Sequence, residues 1–299
     1  MIKWRKTHCE VKMEGLYLSL IVFGVGIQQI AMKAHNGKTK NSTFSFCAAG
    51  TLVSSLIFIA TLRSSFEYSP EVLFYSVAFS LSFCAAVVFS FLAIASGPLS
   101  LTSLITGYSL IVPTLYGLIA LDEPIKITLI VGLLFLALSL FLINKKAKGN
   151  EERGKKVNLK WGIFVTLSFI GNGLGACVQK TQQMRFGGKY VSEFMIVSIA
   201  ISLLILLTVA IFTERKTMLS NLKRGIPWFS IWGIANGGVN LGTILLAGRL
   251  PASVMFPVIS AGGIVFAALV SLFVYKEKLS KIQWSGMLLG ICAIVLLNL

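Results

Sequence analysis

The chain has 299 residues, of which 56% are hydrophobic and 13% are charged. Soluble domains average about 45–50% apolar and about 25% charged residues, so this composition excludes an ordinary soluble domain, and it also excludes a disordered chain. The 27 Lys and Arg residues outnumber the 11 Asp and Glu residues, which gives a formal net charge of +16. Where these charges lie decides between a nucleic-acid-binding surface and a membrane surface.

Ten segments contain no charged residue, and each is 18 to 26 residues long. In chain order they are 15–32, 43–62, 72–95, 99–121, 127–144, 161–179, 194–213, 225–248, 250–275 and 282–299. A helix needs about 20 apolar residues to cross the hydrocarbon core, and the segments lack the alternating pattern of barrel strands. The sequence therefore predicts an all-α integral membrane protein of the cell membrane with ten transmembrane helices.

All charged residues lie outside these segments, either before the first segment or in the connections between segments. We therefore interpret the positive charge as contact with the lipid bilayer and not with nucleic acid. Lys and Arg number 10 on the side that carries both termini and 17 on the opposite side. The positive-inside rule would place both termini outside the cell.

The chain divides into a first half, 1–144, a basic connecting loop, 145–160, and a second half, 161–299. Sparse residue types recur between the halves at offsets of 147 and 154 residues. The matched pairs are Gly15 and Gly162, Gly24 and Gly171, Gly26 and Gly173, Lys33 and Lys180, Glu123 and Glu277, and Gly132 and Gly286. Five is an odd number of spans, so the second half would enter the membrane from the opposite side. The pattern predicts two inverted five-helix repeats with a cavity between them.

Two short stretches in corresponding positions resemble the EamA-like branch of the drug/metabolite transporter superfamily. The first runs from Ala95-Ser96-Gly97-Pro98 through Tyr108, Ser109 and Pro113 to Leu121-Asp122-Glu123, and the second from Ala247-Gly248-Arg249-Leu250-Pro251 through Pro257 to Tyr275-Lys276-Glu277. The usual glycine before each glutamate is replaced by Asp122 and Lys276. The resemblance implies alternating-access transport of small organic solutes along spans one, three, four, six, eight and nine. It also implies cytoplasmic termini, contrary to the charge count, so the orientation stays open.

Neutral polar side chains inside the spans are the candidates for a substrate cavity. They are Gln28, Gln29, Tyr108, Ser109, Asn172, Gln179, Asn236, Asn240 and Ser260. Asn172 and Gln179, seven residues apart, share one helix face, as do Asn236 and Asn240. Side-chain amides both donate and accept, so they suit neutral or zwitterionic solutes; the alternative is hydrogen bonding between packed helices. Pro113 and Pro257 are candidates for bending or gating.

No ionisable residue lies at mid-span. An ionisable residue in that position would be energetically costly and would therefore be a candidate for function. Glu193, at the mouth of the seventh span, is a candidate for proton coupling, and the alternative is an interfacial charge. Glu123 and Glu277 are expected to be structural, pairing with basic residues or capping helices. Both His8 and His35 lie outside the charge-free segments, so we expect neither a catalytic site, nor a metal, nor a cofactor.

The sequence thus favours a transporter of a small organic solute, whether metabolite, amino-acid-like or drug-like, and not an enzyme. The alternatives are a lipid-carrier flippase and a non-transporting membrane scaffold. Gly286 and Gly290 have the spacing of close helix contacts, so they would pack against another helix of the chain or against a second copy in a homodimer.

Overall fold

The computed structural model describes residues 8–37, 39, 42–62, 66–97, 99–144, 158–273 and 281–297, and no strand occurs among them. Helices form almost all of this part of the chain. In order they are α1 His8–Asn36, α2 Thr43–Thr61, α3 Pro70–Ser96, α4 Leu99–Tyr108, α5 Ile111–Ala120, α6 Ile127–Asn144, α7 Leu159–Arg185, α8 Val191–Glu214, α9 Met218–Ala247, α10 Ala252–Phe273 and α11 Lys281–Leu297.

Each charge-free segment of the sequence contains helix among the described residues. In this described part of the chain, six helical stretches are long and apolar enough to cross a membrane, namely Met13–Asn36, Thr43–Thr61, Pro70–Ser96, Leu159–Arg185, Val191–Glu214 and Met218–Ala247. Four shorter apolar stretches, Ile105–Ala120, Ile127–Ser139, Ala252–Gly263 and Trp284–Ala293, fall in the remaining segments. The six long stretches are thus the first three segments of each half.

The fourth segment, 99–121, is not one continuous helix, because α4 ends at Tyr108 and α5 begins at Ile111. The cause is Pro113, which has no amide hydrogen and whose ring clashes with the carbonyl of the residue four positions earlier, Ser109. The backbone tightens there, since Ser109 N–H donates to Thr106 and Leu110 N–H donates to Gly107, three residues back in each case. The segment therefore breaks near its middle.

The helices of the two halves interleave. The main packing pairs are α1 with α9, α3 with α7, α2 with α9, α3 with α8, α2 with α8, and α6 with α11. A core of aromatic and aliphatic residues fills the space between α2, α3, α8 and α9, and its largest members are Phe46, Phe58, Phe91, Phe194 and Trp232. The core thus lies between the halves.

The outer surface of the bundle is apolar. Large hydrophobic side chains are widely exposed on several helices, among them Phe74, Ile119, Leu134 and Phe212, the last of which is 83% exposed. Water would penalise this much apolar surface by about 25 cal/mol for each Å². The helix exteriors are therefore suited to lipid.

Small residues allow the helix backbones to approach closely. A Cβ on Gly171 would lie 2.6 Å from the backbone nitrogen of Ala86 in α3, and one on Gly233 would lie 2.5 Å from the carbonyl oxygen of Gly50 in α2. Hydroxyl groups bridge the same short distances, as where Ser80 of α3 donates to the carbonyl oxygen of Ser198 in α8 at 2.7 Å. Close packing and interhelical hydrogen bonds of this kind hold helices together in membranes.

Candidate functional site

Four of the candidate amides form a continuous hydrogen-bonded chain. Asn236 of α9 donates from Nδ2 to Oε1 of Gln28 in α1 at 3.1 Å. Asn240 donates from Nδ2 to Oδ1 of Asn236 at 3.2 Å, and Gln179 of α7 donates from Nε2 to Oδ1 of Asn240 at 3.1 Å. We call Gln28, Asn236, Asn240 and Gln179 the amide chain. It joins α1 of the first half to α7 and α9 of the second, so these amides make the hydrogen bonds between packed helices that were the alternative to a solute cavity.

Ser54 of α2 supports the centre of the amide chain. Its hydroxyl lies 2.7 Å from the carbonyl oxygen of Gly233 and 3.3 Å from Oδ1 of Asn236. The approach is possible because Gly233 has no side chain where α2 and α9 cross. Sequence reasoning missed Ser54; the available signal was its spacing of four residues from Gly50, which is typical of a close helix contact.

The amide chain is partly exposed at its Gln28 end. Asn236 and Gln179 are buried, whereas Gln28 is partly exposed. Gln28 lies seven residues from Ile21 and therefore on the same face of α1. Ile21 is buried, while the lipid side of α1 is formed by Leu16, Leu20, Phe23 and Ile27. The accessible surface of Gln28 consequently faces the inside of the bundle.

Asn172 is a second polar group on an inward face. It lies two turns from Gln179 along α7, about 10.5 Å at 1.5 Å per residue. Asn172 is exposed although Gln179, on the same face, is buried, and the lipid side of α7 lies opposite, at Ile163, Leu167, Ile170 and Leu174. Its Nδ2 donates to Oγ of Ser109 at 2.7 Å, at the break between α4 and α5. The broken segment and α7 thus meet through a polar contact.

Other candidates lie outside this network. Tyr108 packs against Leu136, Ala261 and Ala293, and the Ser260 hydroxyl donates to the carbonyl oxygen of Gly107 at 3.1 Å. Gln29 is partly buried on α1, one position from Gln28.

The two prolines behave differently. Pro113 is associated with the break between α4 and α5, whereas Pro257 is buried within the continuous α10. Pro257 lies in the second turn of α10, where the carbonyl that it would disturb belongs to the first turn. Pro257 therefore does not interrupt the middle of α10.

The glutamate candidates lie at helix ends. Glu193 is partly buried in the first turn of α8, where a helix dipole favours a carboxylate. Glu123 accepts the backbone N–H groups of Ala252 and Ser253 at 2.7 and 2.8 Å, at the start of α10. Glu277 lies outside the described residues.

Gly286, one of the two candidates for a helix or homodimer contact, meets a helix of its own chain. The hydroxyl of Ser139 in α6 donates to the carbonyl oxygen of Gly286 in α11 at 2.6 Å. In the part of the chain that the structure describes, no group of three His, Cys, Asp or Glu residues is arranged to hold a metal ion.

Comparisons with known proteins bear on the function of this bundle. No protein-family model matches the chain. The chain is 27% identical to the glucose uptake protein GlcU of Bacillus subtilis over 208 residues, which spans 64% of either protein. It is 26% identical over 259 residues to putative sugar uptake proteins of Listeria innocua and Listeria monocytogenes, covering 82% of this chain and 85% of theirs.

A solved crystal structure shares the fold, with a TM-score of 0.68 at 12% sequence identity, and the match covers 93% of this chain and 95% of that one. The named relatives are uptake transporters and not enzymes. Together with the six long apolar helices of the described residues, they show a multi-pass protein of the cell membrane, and they support transport of a small solute at a coarse level.

Proposed function

We propose that the protein takes up a neutral, hydroxyl-bearing solute such as a sugar, by alternating access between two inverted five-helix repeats of the EamA-like kind. The observation that carries this proposal is the amide chain, which joins helices of both halves deep inside the bundle. A site at the junction of two repeats is where transporters of this design bind their substrates.

The helix contacts support the inverted repeat. Exchanging the halves pairs α1 with α7, α2 with α8, α3 with α9, α4 and α5 with α10, and α6 with α11. Under this exchange the contact of α1 with α9 becomes that of α7 with α3, and the contact of α2 with α9 becomes that of α8 with α3. The contacts of α2 with α8 and of α6 with α11 map onto themselves. A packing pattern that survives the exchange is expected of a twofold-related pair.

Matched glycines support the same relationship. Gly24 packs against Val239 of α9, and Gly171, 147 residues later, packs against Ala86 of α3. These are the corresponding crossings of the two halves, because α1 pairs with α7 and α9 pairs with α3 in the exchange.

The second glycine pair, Gly26 and Gly173, extends the correspondence. Gly26 faces Phe266 of α10, and Gly173 faces Val112 of α5, residues that are themselves 154 positions apart. Both offsets are those of the sequence repeat, so the repeat and the packing agree.

The chemistry of the site favours a neutral solute. The four members of the amide chain are uncharged, and side-chain amides offer donors and acceptors that match hydroxyl groups, each of which also donates and accepts. A charged solute in the membrane interior would need an opposite charge beside it. The sugar uptake proteins among the relatives agree with this chemistry.

The test is uptake of radiolabelled D-glucose and a panel of other sugars into proteoliposomes. Asn236→Ala removes the centre of the amide chain, so we expect uptake to fall at least tenfold. Ser54→Ala and Ser55→Ala form a matched pair, because Ser54 contacts Asn236 whereas Ser55 bonds only within α2, to the carbonyl oxygen of Leu52 at 2.7 Å. We expect Ser54→Ala alone to lower uptake. Absence of uptake for every sugar by the wild type would refute the proposal.

A further inference from the structure

The amide chain has a direction, and one backbone atom fixes it. Asn240 Nδ2 lies 3.0 Å from the carbonyl oxygen of Asn236, which can only accept a hydrogen bond. The group of Asn240 that faces Asn236 is therefore its NH2, and the side-chain atom of Asn236 opposite it must be Oδ1. Asn236 consequently turns its own NH2 to Gln28, and Asn240 turns its oxygen to Gln179.

All links thus run the same way, from Gln179 as first donor to Gln28 as last acceptor. The Gln179 end is closed: its side chain is 2% exposed, and Nε2 also lies 3.8 Å from the sulfur of Met195. The Gln28 end is open. None of the described residues accepts a hydrogen bond from Gln28 Nε2, and this nitrogen is not among the buried unpaired atoms.

Gln28 therefore has an NH2 group with no acceptor among the described residues, on the inward face of α1. Because its oxygen accepts from Asn236, and Asn236 accepts from Asn240, the links polarise one another and make the terminal N–H groups better donors. A group that meets this end must offer a hydrogen-bond acceptor, such as a hydroxyl or ring oxygen.

We infer that Gln28 is a specificity-determining residue of the solute site, whose NH2 group donates to a hydroxyl or ring oxygen of the transported sugar. This inference rests on the proposed function and deepens it. The remaining three amides position Gln28 and do not themselves need to touch the solute.

Gln28→Glu tests the inference, because a carboxylate still accepts the hydrogen bond from Asn236 but has lost the NH2 group. We expect the purified variant to melt within a few degrees of the wild type and to bind the transported sugar about tenfold more weakly, the effect of losing one hydrogen bond of about 1.4 kcal/mol. Gln28→Met adds no charge but also removes the oxygen that accepts from Asn236, and it should likewise lose affinity, which would show that the loss does not require the added charge.

Asn236→Asp is the matched internal variant, since it removes a donor from within the amide chain. We expect it to lower the melting temperature, which Gln28→Glu should not do. Deoxy analogues of the sugar supply the second readout. The analogue that lacks the contacted oxygen should bind the wild type about tenfold more weakly than the parent sugar does. Gln28→Glu, in contrast, should bind this analogue and the parent sugar equally well.

If both Gln28 variants bound the sugar with the affinity of the wild type, the inference would be overturned while the proposed sugar uptake would stand. The inference would also be overturned if Gln28→Glu discriminated among the deoxy analogues as the wild type does. Failure of the wild type to bind any sugar would overturn the proposed function, and this inference with it. The two failures are thus distinguishable.

Discussion

The buried Lys180 and the partly buried Glu123 form an ion pair, with Nζ of Lys180 3.7 Å from Oε1 of Glu123, and together they hold the junction between α9 and α10. Lys180 donates to the carbonyl oxygens of Ala247 and Leu250, at the end of α9 and just beyond it. Glu123 accepts from the first N–H groups of α10. Each charge meets the helix end whose partial charge is opposite, so the pair also matches both helix dipoles.

Removal of either charge should destabilise the protein strongly. Lys180→Met leaves the carboxylate of Glu123 without its cation, and Glu123→Gln leaves the buried ammonium group of Lys180 without its anion. We expect either substitution to lower the free energy of unfolding by about 3–5 kcal/mol, the cost of breaking a buried ion pair. Thermal or denaturant unfolding in detergent measures it.

Exchange of the two charges, in Lys180→Glu with Glu123→Lys, should not restore stability. The lysine would then face the N–H groups of α10 and the glutamate the carbonyl groups near the end of α9. If the exchanged protein were as stable as the wild type, contacts of the two charges with the helix ends would not contribute to stability.

Glu214, the last residue of α8, should contribute to stability in a similar way by binding the start of α2. Its two carboxylate oxygens accept the backbone N–H groups of Phe44 and Ser45, at the start of α2, at 2.8 and 2.9 Å. Glu214→Gln should lower the free energy of unfolding by about 1.5–3 kcal/mol, as for hydrogen bonds to a charged group. Glu193→Gln is the matched control, and we expect it to cost under about 1 kcal/mol, as for a charge near a helix N-terminus. Equal effects of the two substitutions would contradict this assignment.

Two glycines five residues apart on α9 should respond oppositely to alanine. A Cβ on Gly233 would lie 2.5 Å from the carbonyl oxygen of Gly50, whereas a Cβ on Gly238 has no atom within 4 Å. Gly233→Ala should force α2 away from α9 and lower the melting temperature. Gly238→Ala should keep or raise it, since alanine favours helix over glycine by about 1 kcal/mol. If Gly233→Ala left the melting temperature unchanged, α2 and α9 would not be in contact at this position.

The break between α4 and α5 should matter for transport. Pro113→Ala would let the segment become one helix and move Ser109 away from Asn172, so we expect uptake to fall although folding is not weakened. Pro257→Ala, in an uninterrupted helix, should change uptake less. Sugar uptake at equal protein content in proteoliposomes compares the two. Unchanged uptake by Pro113→Ala would remove the break from the mechanism.

The helices themselves could be predicted because hydropathy is a local property of the chain. Each charge-free segment contains helix among the described residues, and the bounds of α2 and α6, Thr43–Thr61 and Ile127–Asn144, differ from the predicted 43–62 and 127–144 by at most one residue. The break in the fourth segment could have been predicted from Pro113 by the same local reasoning. The polar residues inside the spans were also visible, because each is an isolated exception in an apolar run.

Which of these polar residues meet was decided only by the tertiary structure. Gln28 and Asn236 are 208 positions apart, and Lys180 and Glu123 are 57 apart, so no local pattern pairs them. Their contacts depend on how closely the helices approach, which small residues such as Gly233 and Ser54 permit. By itself the sequence determined what each helix is made of, whereas packing decided that four amides align, and that the NH2 group of Gln28 meets no acceptor among the described residues.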